Sequence, residues 1–172
     1  MILKNNSFLR NFLAIPALFL LSFSGCYTFK DVSIPPEAKT FRVNLFLNKA
    51  TYVNPQLGPQ LTDKLRQKII NNTKLSPVQG SDAHYDISCT VTTYSVSTAA
   101  ISQQQAATNR LTVAIKISVR YSPDEKKNIE ADVSRNFEFS ANKTLQQAEP
   151  ELTSSIINNL TDDIFNRIFS NW

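Results

Sequence analysis

The sequence predicts an α+β fold, a two-layer sandwich in which two helices cover one face of a four-stranded, mostly antiparallel sheet. The predicted element order is β-α-β-β-β-α. Four segments alternate apolar and polar residues with a period of two, which is typical of strands with one wet face. Two other segments repeat apolar residues every three or four positions, as amphipathic helices do. Elements with one apolar face each bury it most economically in two stacked layers.

The first two elements are a strand and a helix. Thr40 to Leu47 alternates, with Phe41, Val43, Leu45 and Leu47 in one apolar phase. Residues 59–71 carry leucines every fourth position and predict a helix that ends before Pro77. Because a helix connects the first strand to the next, we expect the first strand to run parallel to a partner.

Three strands follow, and we expect them to be antiparallel neighbours. In the second, Tyr85 to Ser97, the apolar phase changes near Thr92-Thr93, which indicates either a β-bulge or a strand end that is apolar on both faces. The third, residues 110–121, alternates most regularly. The fourth, residues 129–139, is interrupted by Arg135, which either lies beyond the covered part of the sheet or is turned outward by a bulge.

Residues 98–108 connect the second and third strands and contain neither Gly nor Pro. A connection of this length predicts a functional or mobile loop, although its Ala and Gln content also suits a short helix. The chain closes with a helix over residues 150–169, and we expect Trp172 to pack back on the domain. The acidic pairs Glu149/Glu151 and Asp162/Asp163 on or beside this helix indicate a solvated face.

The N-terminal 25 residues have the features of a secretory signal. Lys4 and Arg10 precede the apolar run 12–21, and the run ends near Ser24-Gly25-Cys26. The small residues before Cys26 resemble a bacterial lipobox, which implies that Cys26 is lipidated and becomes the first mature residue. The run is shorter than the roughly 20 residues of a membrane-spanning helix, and Pro16 interrupts it.

These observations divide the chain into three predicted parts. They are a signal peptide over residues 1–25, a lipidated and extended leader over 26–39, and a single α+β domain over 40–172. The chain has 18 basic and 14 acidic residues, and removal of Lys4 and Arg10 with the signal leaves 16 against 14. This near neutrality, without a Lys/Arg-dense run, argues against a nucleic-acid partner.

No residue pattern indicates an enzyme or a cofactor. The sequence has no Cys/His cluster with metal-ligand spacing, and none of its three glycines forms a phosphate-binding loop. His84, the only histidine, stands alone in a predicted loop and is expected to be solvated; an anchored hydrolase would have to depend on it. Cys89 lies in the apolar phase of a strand, where a buried structural thiol is expected.

Three cations, Arg110, Lys116 and Arg120, share the polar phase of the third strand and are separated by small residues. Such a stripe is a candidate ligand-binding surface that would meet phosphates. The alternative is that these side chains solubilise an open sheet face and pair with Glu130 or Asp132 across the hairpin.

Several short segments along the mature chain resemble LptE-type lipopolysaccharide-assembly lipoproteins of the Bacteroidetes group. The segments are Cys26-Tyr27-Thr28-Phe29, Ser33-Ile34-Pro35-Pro36, Val53-Asn54-Pro55, Tyr94-Ser95-Val96, Thr108-Asn109-Arg110-Leu111-Thr112-Val113, Asp163-Ile164-Phe165-Asn166-Arg167 and Asn171-Trp172. The predicted element order also agrees with that family's two helices on a four-stranded sheet.

The resemblance implies a lipid-anchored protein on the periplasmic side of the outer membrane. Such proteins plug the lumen of the β-barrel translocon LptD, assist its assembly and help deliver lipopolysaccharide, and family members have been linked to lipopolysaccharide binding. The resemblance assigns no lipopolysaccharide-contact residue to this chain. An alternative of another class is a lipid-anchored binding module for a different envelope glycan or lipid, without a barrel partner.

Overall fold

The computed structural model describes residues 34–52, 54–102 and 105–170. The predicted signal peptide, the predicted lipidation of Cys26 and the predicted packing of Trp172 lie outside them. Six strands and two helices form the domain: β1 Thr40–Val43, β2 Leu47–Asn48, α1 Leu57–Asn72, β3 Ser76–Pro77, β4 Tyr85–Ser102, β5 Gln105–Tyr121, β6 Ile129–Ser140 and α2 Leu145–Phe169. No helix among the described residues is long and apolar enough to cross a membrane.

The strands form one mixed sheet in the order β3-β1-β4-β5-β6, and β2 also pairs with β4. β4, β5 and β6 are antiparallel neighbours, as predicted, and β1 runs parallel to β4, as the crossover helix required. The predicted count of four strands is wrong, because the sheet has six. The predicted first strand breaks into β1 and β2, and the two-residue strand β3 is too short to leave a periodic pattern.

Both helices pack against the same face of the sheet and share one hydrophobic core with it. The apolar phases predicted for β4, β5 and β6 supply the sheet side of this core. Leu45 and Leu47 are exceptions to the predicted phase of the first strand, since they are 60% and 55% exposed. The chain also joins the core before residue 40: Ala38 is buried, and Ile34 packs against the cluster.

The break between β1 and β2 is where helix α1 meets the sheet. The Phe46 N–H donates to Thr62 Oγ1 at 3.0 Å, and the Thr62 hydroxyl donates to the Gly58 carbonyl at 2.8 Å. A Cβ at Gly58 would lie 2.6 Å from the Phe46 carbonyl oxygen, so this close approach requires glycine. The turn of the chain at Phe46 therefore ends β1 and positions α1.

Helix α2 begins at Leu145, more than one turn before the predicted start at Pro150. The Thr144 side chain accepts from the Gln147 N–H, and the Gln147 side chain accepts from the Thr144 N–H. This reciprocal capping satisfies two otherwise unpaired donors and fixes the helix start. Pro150 thus lies inside the helix near its beginning, although proline is most typical of the first helical position.

A β-bulge interrupts the pairing of β4 with β5. Val91 lies opposite Ile115 and Thr93 opposite Ala114, so Thr92 is the additional residue. The bulge confirms the predicted change of phase and turns the Tyr94 side chain into the core, where it is 3% exposed.

The predicted loop over residues 98–108 is wrong for most of its length. β4 runs to Ser102 and β5 starts at Gln105, with pairs such as Thr98 with Asn109 and Ser102 with Gln105. Backbone hydrogen bonds across a hairpin continue wherever its two strands stay adjacent. They override the intrinsic helical preference of Ala and Gln. The register is irregular around Ala100, so the hairpin is least regular toward its tip.

Arg135 follows neither of its two predicted placements. It pairs with Val113 in regular register, without a bulge, on the helix side of β6. Its guanidinium contacts the Asp163 carboxylate of α2, with Nε to Oδ2 at 2.5 Å and Nη2 to Oδ1 at 2.7 Å. The charge is therefore accommodated at the flank of the core by an ion pair with the helix.

Candidate functional site: the open face of the sheet

The face of the sheet opposite the helices, called here the open face, is polar along three neighbouring strands. Alternate residues of β4, β5 and β6 form it. They are Asp86, Ser88, Thr90, Thr93, Ser95, Ser97, Arg110, Thr112, Ala114, Lys116, Ser118, Arg120, Glu130, Asp132, Ser134, Asn136 and Glu138. In the described part of the chain no helix covers this face, so its side chains are available to a partner.

The predicted stripe of Arg110, Lys116 and Arg120 lies on the open face along β5. The first two cations are six positions apart in sequence and the last two are four positions apart, which corresponds to roughly 20 and 13 Å along an extended strand. The three cations therefore do not converge on one small ligand group.

Each cation of the stripe contacts a carboxylate on a neighbouring strand. Arg110 lies 2.9 Å from Glu138, Lys116 lies 3.6 Å from Glu130, and Arg120 lies 3.1 Å from Asp86. The Lys116 pair is the cross-hairpin pairing given above as the alternative, whereas Asp132 forms no ion pair with it in the described structure. Exposed pairs of this kind contribute little stability, and phosphate binding at these cations stays a prediction.

Asp86 joins two arginines at the corner of the open face where β1 meets β4. It accepts hydrogen bonds from Arg42 at 2.7 and 2.9 Å, from Asn44 at 2.8 Å and from Arg120 at 3.1 Å. The hydrogen bonds from Arg42 hold the pKa of Asp86 below its usual value, against the opposing effect of desolvation. Two guanidinium groups share the Asp86 carboxylate, so these three side chains together carry one net positive charge, and the Asp82 carboxylate also acts electrostatically on Arg42.

Arg42 is a site residue that the sequence pattern alone does not single out. Alternation places it in the polar phase of the first strand, but a cluster is visible only once the parallel register sets Arg42 beside Asp86. The position of Arg42 in the polar phase could therefore be predicted from the sequence. Its contact with Asp86 could not, because that contact depends on the order of the strands in the sheet.

Glu149 is the centre of a second polar cluster, at the start of α2. Its carboxylate accepts from Tyr94 Oη at 2.8 Å, Asn54 Nδ2 at 3.2 Å and Tyr52 Oη at 3.3 Å. The Tyr52 and Tyr94 rings stack with centroids 5.4 Å apart. Burial of Tyr94 and its hydrogen bond to Glu149 raise the pKa of Tyr94. The prediction of a solvated face is therefore wrong for Glu149, which ties helix α2 to β4 and to the segment before α1.

The other three acidic residues near this helix pair with cations, and two of them remain largely exposed. Asp162 contacts Lys68 of α1 at 2.7 Å, and Glu151 contacts Lys143 at 2.6 Å. Their carboxylates are 55% and 63% exposed, which agrees with the predicted solvated face.

His84 and Cys89 both have structural surroundings. The His84 Nδ1 lies 2.6 Å from Thr40 Oγ1, and the backbone N–H of His84 donates to the same oxygen. The histidine is half-buried, and these two contacts hold the start of β1 beside β4. The prediction of a solvated His84 is therefore wrong. Cys89 is buried, as predicted, and desolvation raises the pKa of its thiol to about 12. The described residues contain no group of acidic, His and Cys side chains suited to a metal.

The fold has counterparts among known proteins. A profile of the family described as "LptE: Lipopolysaccharide-assembly" matches residues 38–168. The chain belongs to this family. Membership assigns it to the lipoproteins of lipopolysaccharide assembly, a non-catalytic family. No curated protein sequence matches the chain.

Solved structures share the fold at low identity. A hypothetical protein from Chlamydia trachomatis superposes with a TM-score of 0.51 at 4% identity, over 78% of this chain and 99% of that one. A minor lipoprotein from Acinetobacter baumannii gives 0.50 at 15% identity, over 76% and 91%. The uncharacterized lipoprotein B of Nitrosomonas europaea gives 0.50 at 11% identity, over 80% and 90%. At these identities the similarity shows a common fold alone.

Proposed function

We propose that this protein is the lipoprotein component of a lipopolysaccharide translocon, where it occupies the lumen of an LptD-type outer-membrane barrel from the periplasmic side and supports that barrel. The family match over residues 38–168 is the observation that carries the proposal. Lipidation at Cys26 would anchor it. Eight residue steps separate Cys26 from Ile34, so an extended tether reaches at most about 29 Å and keeps the domain close to the membrane.

The open face suits the wall of a barrel lumen. The interior of an outer-membrane barrel is polar, and this face is polar along β4, β5 and β6. Because each cation of the stripe already contacts a carboxylate, these three cations can approach a wall without being buried as unpaired charges. The β4–β5 hairpin extends past Thr108 and Ser140, the last pair between β5 and β6, and so protrudes from the sheet.

Lipopolysaccharide contact is proposed for the stripe of Arg110, Lys116 and Arg120, with Arg42 added at the positive corner. Guanidinium groups bind phosphate through paired hydrogen bonds, and lipopolysaccharide phosphates would compete with exposed carboxylates for them. Since Arg42 and Arg120 share a single carboxylate, the Asp86 corner offers the most favourable position for an anion.

The test is gentle detergent extraction of tagged protein from its native envelope, followed by mass spectrometry of the proteins that co-purify. A single large outer-membrane barrel near one-to-one supports the translocon role. A lipidated, folded protein without any barrel contradicts it and favours a free binding module for another envelope glycan or lipid.

A deletion variant tests the protruding hairpin. Replacement of residues 99–108 by a two-residue Asn-Gly turn, which keeps Thr98 opposite Asn109, should leave the fold intact and weaken barrel retention. Retention equal to that of the wild type, with the same thermal stability, would remove the hairpin from the interface.

A further inference from the structure

We propose that the outer edge of β4 beyond β2 binds an extended, uncharged segment of the barrel partner by backbone pairing. This edge, residues 93–98, is called the free edge. The inference rests on the proposed function and specifies how the two proteins meet.

The same edge of β4 already accepts two strands. β1 pairs with residues 85–87, β2 pairs with residues 90–91, and the Lys49 N–H donates to the Val91 carbonyl at 2.9 Å. Beyond Val91, β4 continues to Ser102 and pairs only with β5 among the described strands. An incoming segment would therefore continue the row of β1 and β2 along an edge that accepts parallel strands.

The backbone groups that the free edge offers follow from the register. The Val91 carbonyl points away from β5, toward Lys49. The additional residue Thr92 shifts the alternation by one, so the even-numbered residues Tyr94, Val96 and Thr98 direct N–H and C=O groups outward. All four residues from Ser95 to Thr98 are exposed, which leaves the outward groups of Val96 and Thr98 open to a partner, whereas Tyr94 is buried.

Charge distinguishes the free edge from the opposite edge of the sheet. Residues 87–109 contain no charged side chain, whereas the edge strand β6 carries Glu130, Asp132, Arg135 and Glu138. Charged side chains on an edge strand oppose pairing with other chains, and an uncharged edge lacks that protection. The partner segment that fits is therefore extended and poor in charge.

Side chains beside the free edge define the partner further. Val96, 42% exposed, lies on the helix side, and Ser95 and Ser97 lie on the open face. A paired segment would place an apolar residue next to Val96 and small polar residues next to the two serines, in strict alternation. Backbone bonds would supply affinity, and this alternation would supply register.

Val96→Pro tests the pairing, because it removes an outward N–H without removing a bond to β5. Val96→Ala is the matched control at the same position, because it shortens the side chain and keeps the backbone N–H. With the full lipoprotein in its envelope, we expect Val96→Pro to reduce co-purified barrel roughly tenfold and Val96→Ala to reduce it far less.

Hydrogen exchange on the wild-type complex keeps the test valid if a proline variant fails to fold. The amides of Val96 and Thr98 should exchange more slowly with the barrel bound than in the lipoprotein alone. Unprotected free-edge amides in an intact complex overturn the inference but leave the proposed function standing. Protection that requires no barrel and grows with protein concentration indicates a second copy and also overturns it. Absence of the barrel from wild-type extracts contradicts both proposals.

Discussion

Substitution by valine should change the free energy of unfolding in opposite directions at two buried threonines. Thr62 and Thr161 are 4% and 0% exposed. The Thr62 hydroxyl donates to the Gly58 carbonyl and accepts the Phe46 N–H. The Thr161 hydroxyl has no hydrogen-bond partner among the described residues. Valine has the same shape in each place and removes only the hydroxyl.

The hydrogen bonds set the expected magnitudes. Thr62→Val leaves the Phe46 N–H unpaired in the core, and a buried unsatisfied donor costs about 1–3 kcal/mol. With the second lost bond, the free energy of unfolding should fall by about 2–3 kcal/mol. Thr161→Val removes a buried hydroxyl that nothing satisfies, and it should raise the free energy of unfolding by roughly 1 kcal/mol.

Urea unfolding of the purified protein measures both changes. For a slope of about 2 kcal/mol per molar urea, the midpoint should fall by about 1–1.5 M for Thr62→Val and rise by about 0.5 M for Thr161→Val. Thr62→Ser is the control, because it keeps the hydroxyl and loses only a methyl group. Equal shifts of the same sign for the two valine variants would refute the reasoning.

Three further predictions concern the polar clusters, the stripe and the buried thiol. Tyr94→Phe removes the hydroxyl bonded to Glu149 and should lower the free energy of unfolding by about 1–2 kcal/mol in chemical denaturation; a change below about 0.3 kcal/mol would contradict that. Lys116→Glu combined with Arg120→Glu should weaken lipopolysaccharide binding and make the residual binding less dependent on salt, whereas unchanged affinity would assign the stripe to solvation. Because burial raises the pKa of Cys89 to about 12 from 9.0, its stabilising contribution is complete below pH 9 and is lost as the pH rises toward 12. Wild type should therefore lose more stability than Cys89→Ala between pH 9 and 11, and an identical decline in both would show that the thiol does not titrate in this way.

Local sequence patterns predicted the strands and helices that keep one apolar face and one polar face along their whole length. Strict alternation located β5, and the change of phase near Thr92 located the bulge. Boundaries were less well predicted where a local preference met a competing interaction. The capping pair of Thr144 and Gln147 starts α2 before Pro150, and the hairpin bonds continue β4 and β5 through the predicted loop.

The candidate site was likewise predictable from the sequence only in part. Alternation alone placed Arg110, Lys116 and Arg120 on one face, and the structure confirms that placement. It could not supply the carboxylates that these cations contact, because each partner belongs to another strand.

The sequence by itself determined the fold class, the two amphipathic helices and the polar phase of the strands, because these depend on periodicity within short segments. Only the tertiary structure decided that Arg42 joins Arg120 at Asp86, that Glu149 binds Tyr94, and that no described strand pairs with the outer edge of β4 beyond β2. The physical reason is that ion pairs, buried hydrogen bonds and open strand edges depend on which distant segments become neighbours. Strand order and register fix those neighbours, and periodicity within a segment does not encode them.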